Sequence, residues 1–483
     1  MSKSEHHITA PEDRIPLGQK NAYAIGMFVN NLQAAALPAM MVILNLGLGM
    51  NPILVGIIGF VPRIFDAVSD PMMGYISDNT RTRWGRRRPY IFVGAILSGI
   101  IFALMWQLPA GHSESFYFWT FMTALIIFYL AYTVYATPFV AFGYEMTPDY
   151  HERTRLHAFA NTIGQLAWLG VPWFYLIMAN ETLFRDKVHG ARTLAIAVGI
   201  VIALFGIVPA LFCKEKFGSA PKDETTIGFG GNMKLFFKGI GITFKCKPFV
   251  KLCAATFLIF NGYQLGIFFS IYIMIYYLFN GDDSPAGKLY GLFGTILAVS
   301  TLCVIPLTGW VATRIGKRQT FLITISLSIV GYALKWVGYN PAHPYWLLAA
   351  APLVAFGTGS LFTLMGSMIA DVCDCDELET HQRREGVFGA IYWWMVKVGM
   401  ALALLLTGVL LNVSGFDVKL AGEQSAKTLF MLRVFDISIP IVTSVIALVI
   451  MATYSITEKR AYEIRAELEE RRGKFPGATA GPV

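Results

Sequence analysis

Twelve long apolar runs divide this chain, and they restrict its folds more than any other feature. An α-helix rises about 1.5 Å per residue, so roughly 20 apolar residues cross the hydrocarbon of a bilayer. Runs of that size fall at 22–47, 53–77, 90–108, 116–144, 156–179, 192–213, 249–279, 286–313, 319–338, 344–371, 385–412 and 433–455. Lipid leaves backbone polar groups no partner but each other, so each run is predicted to be helical. The expectation is an all-α membrane protein of twelve transmembrane helices. Composition agrees: 55% of the 483 residues are hydrophobic and 14% are charged, with a mean hydropathy of +0.54. A soluble chain carries about a quarter charged residues.

The net charge of +8 lies in short polar gaps between the runs, which speaks against nucleic acid as a partner. Arg81, Arg83, Arg86, Arg87 and Arg88 follow the second run; Arg153 and Arg155 follow the fourth; Arg314, Lys317 and Arg318 follow the eighth; Arg383 and Arg384 follow the tenth. Intervening gaps are poor in Lys and Arg, except around Arg185, Lys187 and Arg192. The positive-inside rule then puts both termini in the cytoplasm, in an inner membrane. The first 20 residues lack the pattern of a secretory signal.

A Gly- and Lys-rich segment, 214–248, separates a six-helix half at 1–213 from another at 249–455, and its 236–242 stretch is amphipathic. Residues 456–483 form a charged tail, helical over 457–474. The halves echo each other. Gly74-Tyr-Ile-Ser-Asp78 leads to Arg83-Trp-Gly-Arg-Arg87, and Gly309-Trp-Val-Ala-Thr313 leads to Arg314-Ile-Gly-Lys-Arg318. A fainter pair is Glu145 with Arg153 and Arg155, against Asp371 with Arg383 and Arg384. Repeated halves about a central site are a transporter architecture.

The second run carries Arg63, Asp66 and Asp70, spaced i, i+3, i+7 and so on one helix face, with Ser69 beside them. Each ion at that depth costs at least about 2.5–3.5 kcal/mol, so the three face partners or a wet cavity. Two arrangements satisfy them. One is a structural ion-pair network, with Lys397 of the eleventh run as a further partner. The other is a cation site, in which paired carboxylates take up a proton or hold Na⁺ through oxygen. Asn30, Asn31, Gln33, Thr133, Thr137, Asn161, Thr162, Gln165, Asn261, Tyr263, Gln264, Tyr392, Trp393, Trp394 and Lys397 also fall within runs. Amides and aromatic rings together suit a polyhydroxylated ligand. Lys335, near the end of the ninth run, is expected to snorkel to the interface.

No catalytic constellation, phosphate-binding loop or metal-ligand spacing of His occurs, and no cofactor is implied. The six cysteines form no CxxC, and Cys373-x-Cys375 reads as small residues at a helix end.

The stretch Arg63-Ile-Phe-Asp66-Ala-Val-Ser-Asp70-Pro, running into Asp78-Asn-Thr-Arg-Thr-Arg-Trp-Gly-Arg-Arg-Arg-Pro89, resembles the signature of the glycoside–pentoside–hexuronide:cation symporters of the major facilitator superfamily. The resemblance covers nearly the whole chain. It implies alternating access between two six-helix bundles, working as a monomer, with a small sugar and a coupling Na⁺ or H⁺ in a shared cavity. On it, Asp66, Asp70, Ser69 and Thr133 are the cation-site candidates. Asn30, Asn31, Asn161, Tyr263, Gln264, Trp394 and Lys397 are the sugar-site candidates. Arg63, Asp78, Arg83, Arg87, Arg88, Glu145, Arg153 and Arg384 are candidate conformational contacts. Asn31, Ala136 and Asn161 stand where the melibiose-transporting member has two aspartates and an arginine; with Lys397 kept, the cavity is less negative, which admits an acidic sugar or uronide. A proton-coupled exporter and a non-transporting sensor are the alternatives.

Overall fold

A computed structural model describes residues 11–109, 111–147, 149–215, 241, 243–380 and 385–472. Among them the chain is helical, with no named strand and one isolated bridge, Thr82 to Gly85. The main helices are α1 (Leu17–Leu46), α2 (Pro52–Asn79), α3 (Arg88–Met105), α4 (Glu114–Glu145), α5 (Tyr150–Gly170), α6 (Phe174–Met178), α7 (Lys187–Gly206), α8 (Val208–Phe212), α9 (Lys247–Ile273), α10 (Asp283–Ile315), α11 (Lys317–Gly338), α12 (Ala351–Thr380), α13 (Glu385–Val413), α14 (Ala426–Ala452) and α15 (Glu458–Arg472). The expected helical tail is present as α15, and the amphipathic 236–242 stretch lies almost wholly outside the described residues.

Polar residues set where the helices begin. The side chains of Asn51, Ser113, Asp149, Asp186 and Ser425 accept hydrogen bonds from Ile53, Phe116, Glu152, His189 and Thr428, satisfying first-turn N–H groups of α2, α4, α5, α7 and α14.

Eleven spans among the described residues are long and apolar enough to cross a membrane, one fewer than the twelve expected. The exception is the run expected at 156–179. There α5 ends at Gly170, a 3₁₀ turn takes Val171–Trp173, and α6 resumes at Phe174. Pro172 explains the break, because it offers no N–H and its ring clashes with the preceding turn. The half before the break is polar, carrying Arg153, Arg155, His157, Asn161 and Gln165.

The chain divides into two compact units. The first gathers Met1–Asn232, Met274–Thr295 and Gly408–Gln424; the second gathers Met233–Ile273, Ile296–Thr407 and Ser425–Val483. The boundary in the seventh run falls where α9 gives way to a π-helical turn, Met274–Leu278. In the first unit α1 packs on α5 and α7, α3 on α4 and α7, and α2 on α4. In the second, α9 packs on α14 and α12, and α11 on α12 and α14, around a core that includes Phe249, Leu252, Phe321, Met365 and Phe388.

The chain leading into α1 is tied to α5. Ile15 N–H donates to Glu152 at 3.0 Å, and Lys20 Nζ lies 2.7 Å from the same carboxylate. Burial pushes the Glu152 carboxyl up, but hydrogen bonds from Lys20, the Ile15 N–H and Arg155, together with the Lys20 charge, outweigh it and hold it below its ordinary value. The sign follows: this contribution is fully present above about pH 4.5 and is lost as pH falls through the lowered folded value. Melting scans from pH 6 to pH 3.5 should therefore show a fall in Tm that Glu152→Gln reduces by about 2 °C. Equal slopes for both proteins would refute the assignment.

Candidate functional site

The first unit brings two stripes together. Arg63 and Asp70 belong to the charged face of α2, and Tyr129, Thr133 and Thr137 recur every fourth residue on α4. The Arg63 guanidinium, 7% exposed, lies 4.4 Å over the Tyr129 ring. Two turns on, Thr133 Oγ1 and Thr137 Oγ1 each donate to Asp70 Oδ1 at 3.2 Å. Ser69 Oγ stands 3.2 Å from Thr133 Oγ1, and because Thr133 gives its one proton to Asp70, Ser69 is the donor there. A carboxylate and three hydroxyls make an oxygen-rich set of the kind that suits a hard cation. Three of the four cation-site candidates thus meet; Asp66 stands in α2, its side chain outside the described residues. Thr137 joins them, and its spacing from Thr133 was the signal for it.

The sugar-site candidates fall into two groups. In the first unit, Asn30 Oδ1 accepts from Tyr132 Oη at 3.2 Å. Asn31 Nδ2 packs against Gly164, 2.7 Å from where a Cβ would stand, one turn from the exposed Asn161. In the second unit, Gln264 is buried at 7% exposure and Tyr263 stacks on Phe260 with centroids 6.4 Å apart. Trp394 Nε1 and Asn261 Oδ1 are buried with no hydrogen-bond partner among the described residues. Half-buried Lys397 is three residues past Trp394 and four past Trp393, so all three share one side of α13. The Trp393 ring is 57% exposed and lies within 6° of parallel to Phe362, with centroids 6.1 Å apart. Phe362 carried no sequence signal, being one apolar residue in an apolar run.

Most of the candidate conformational contacts are engaged. Arg87 Nη2 lies 2.6 Å from Asp78 and 2.9 Å from Glu145, which Arg86 also reaches at 2.5 Å. Consecutive backbone N–H groups of Arg86, Arg87 and Arg88 donate to the Glu215 carboxylate at 2.7, 2.8 and 3.2 Å. Gly85 makes this approach possible: its φ is +117°, and a Cβ there would meet that carboxylate. Arg88 Nε donates to the Ala210 carbonyl at 2.6 Å. The second unit repeats the scheme, with Lys317 Nζ 2.6 Å from Asp371 and Arg318 donating to the Ala452 carbonyl. Arg153 Nη2 donates to the Thr147 carbonyl at 3.1 Å, Arg83 is exposed, and Arg384 lies outside the described residues. Glu215 escaped sequence reasoning because carboxylates are ordinary in polar loops.

One expectation fails. Lys335 does not snorkel: it is 3% exposed, with Nζ 2.6 Å from Asp436, itself 0% exposed. A buried counter-charge on α14 removes the reason to reach for water.

A family model described as MFS/sugar transport protein matches residues 22–458. The chain belongs to that family. Within it, the expected likeness to glycoside–pentoside–hexuronide:cation symporters holds. The chain is 23% identical to the isoprimeverose transporter of Lactiplantibacillus pentosus, over 96% of this chain and 93% of that one. It is 24% identical to the glucuronide carrier protein homolog of Escherichia coli (strain K12), over 88% and 89%. The solved D-xylose-proton symporter has the same fold, with a TM-score of 0.62 at 13% identity over 91% of this chain and 98% of that one. Family membership makes this chain a multi-pass transporter of the major facilitator fold.

Proposed function

We propose that this chain is a cation-coupled sugar symporter that works by alternating access. The oxygen cluster about Asp70 carries the reading: in a sugar-transport family, a membrane-embedded carboxylate held by Thr133 and Thr137 and flanked by Ser69 is suited to a coupling ion. Na⁺ and H⁺ both fit this chemistry, since either neutralises the carboxylate and alters the helix-to-helix contact that the two threonines make. Asp66 is the second carboxylate of the site. The sugar contacts proposed are Asn30, Asn31, Asn161, Tyr263, Gln264, Trp394 and Lys397. The buried Trp394 N–H and Asn261 carbonyl oxygen support a hydroxylated ligand, whose hydroxyls both accept and donate. Lys397 favours a uronide or other acidic sugar, the class named for one relative.

In this reading the protein is a monomer of the bacterial inner membrane, with both termini and the arginine loop after α2 in the cytoplasm. Arg86, Arg87, Asp78 and Glu145 hold that side of the first unit together, and their rearrangement accompanies the change of access. No enzymatic step is involved.

Uptake into vesicles with imposed Na⁺ or H⁺ gradients tests this. One gradient should drive accumulation of a glycoside or glucuronide. Where Na⁺ is the driving ion, Thr133→Val/Thr137→Val should raise its half-saturating concentration about tenfold, about 1.4 kcal/mol, because two hydroxyl oxygens are lost from its site. Accumulation that neither gradient drives would remove the symport reading.

A further inference from the structure

Within the second unit, the Lys335–Asp436 pair meets α9 at Ser270, about 120° around the helix from Gln264. Asp436 of α14 receives Lys335 Nζ of α11 at 2.6 Å and the Tyr339 hydroxyl at 2.7 Å, both on Oδ2. Ser270 Oγ of α9 stands 3.3 Å from Oδ1 and takes a hydrogen bond from Lys335 Nζ at 3.1 Å. Three helices therefore converge on one carboxylate.

The sequence of α9 explains how it comes so close. Gly262, Gly266 and Ser270 recur every fourth residue and form a small-residue face. A Cβ at Gly262 would collide with Pro440 and Thr443 of α14, and one at Gly266 would already touch Asp436 at 3.6 Å. Gln264 is two residues from each glycine, about 200° around the helix. The face of α9 that grips α14 is thus opposite the side that carries Gln264. Asn261, whose Nδ2 would lie 2.8 Å from a Cβ at Gly399, turns instead toward α13.

A buried ion pair adds little net stability over an apolar pair of the same volume, so stability alone does not account for it. Register does. Sliding α14 against α11 by one turn, about 5.4 Å, would leave a carboxylate and an ammonium unmatched in an apolar interior, and sliding α9 would take Ser270 away from both. An apolar seam would tolerate that slip or a partial rotation.

We infer that the Lys335–Asp436 pair, with Tyr339 and Ser270, is a positioning device that fixes the rotation and register of α9 and so sets where Gln264 meets the sugar. The inference rests on the reading of Gln264 as a sugar contact. Lys335, Asp436 and Ser270 are positioning residues; none touches substrate.

The test compares wild type, Lys335→Met/Asp436→Leu and Ser270→Ala in proteoliposomes. The double variant removes both charges and keeps the volume; either single charge removal leaves an ion buried alone and is expected to give little folded protein. The double variant should melt within about 3 °C of wild type yet show an apparent KM for glycoside raised about tenfold, with maximal rate and ion dependence within about twofold. Ser270→Ala should raise KM about threefold, since only the tie to α9 is lost. A second readout needs no transport. In chains whose six native cysteines are replaced by Ser, the rate of maleimide labelling at Gln264→Cys should change at least about fivefold in the double variant. Unchanged KM and labelling in a stable double variant would overturn the inference, as would a double variant as poorly folded as the singles, because the pair would then be supplying stability. If wild type takes up no glycoside, the sugar reading fails separately, and the labelling rate alone decides the positioning role.

Discussion

Asp70→Asn should abolish gradient-driven accumulation while leaving downhill sugar equilibration measurable. The substitution keeps the shape and one acceptor oxygen, so Thr133 and Thr137 can still donate, but it removes the charge that a coupling ion neutralises. Losing a charge-assisted contact of about 3 kcal/mol is roughly a hundredfold in ion affinity. In vesicles, the inside-to-outside sugar ratio should stay near unity under either gradient, while sugar counterflow continues. Asp66→Asn should act in the same direction if the two carboxylates share the ion. Accumulation retained by Asp70→Asn would leave the oxygen cluster without its proposed role.

The second large effect is expected at Arg87. Its guanidinium is 5% exposed and answers two carboxylates, Asp78 and Glu145, while its backbone N–H answers Glu215. Arg87→Ala leaves Glu145 with Arg86 alone and Asp78 with none of these contacts. Asp78 is half exposed, which lowers the cost below that of a fully buried broken pair, to about 1–3 kcal/mol. Transport should suffer more than stability, with initial rates down about tenfold and little change in apparent KM. Arg87→Lys should recover only part of the rate, because an ammonium is a point charge and the guanidinium is a planar fork. A normal rate in Arg87→Ala at normal protein abundance would mean that the arginine loop only directs topology.

Where the sequence was legible, the reason was cost. Arg63 and Asp70 stood out because ions in an apolar run demand a partner; the four-residue spacing that joins Thr137 to Thr133 on α4 was a signal left unread. The helices were legible for the same reason, since apolar length leaves few alternatives; Pro172 was visible, but its power to split the fifth run was not. Lys335 was misread because its partner, Asp436, is about a hundred residues away in sequence, in a run where no candidate residue was named. Glu215 was hidden differently: nothing in a polar loop distinguishes a solvated carboxylate from one that caps three N–H groups. Phe362 and Trp393 became a stacked pair only once α12 and α13 were side by side.

The paired arginines that grip helix ends have a consequence for biosynthesis. Arg88 holds the Ala210 carbonyl across 122 residues of sequence, and Arg318 reaches Ala452 across 134. Each partner sits near the end of its half and leaves the ribosome long after its arginine. At roughly 5–20 residues per second the wait is about 6–27 s. During that interval the arginine loop must remain solvated, so each half cannot be fastened until its last span has been delivered. Truncated nascent chains ending before residue 210 should therefore be more protease-sensitive at the 81–88 loop than chains ending beyond Glu215.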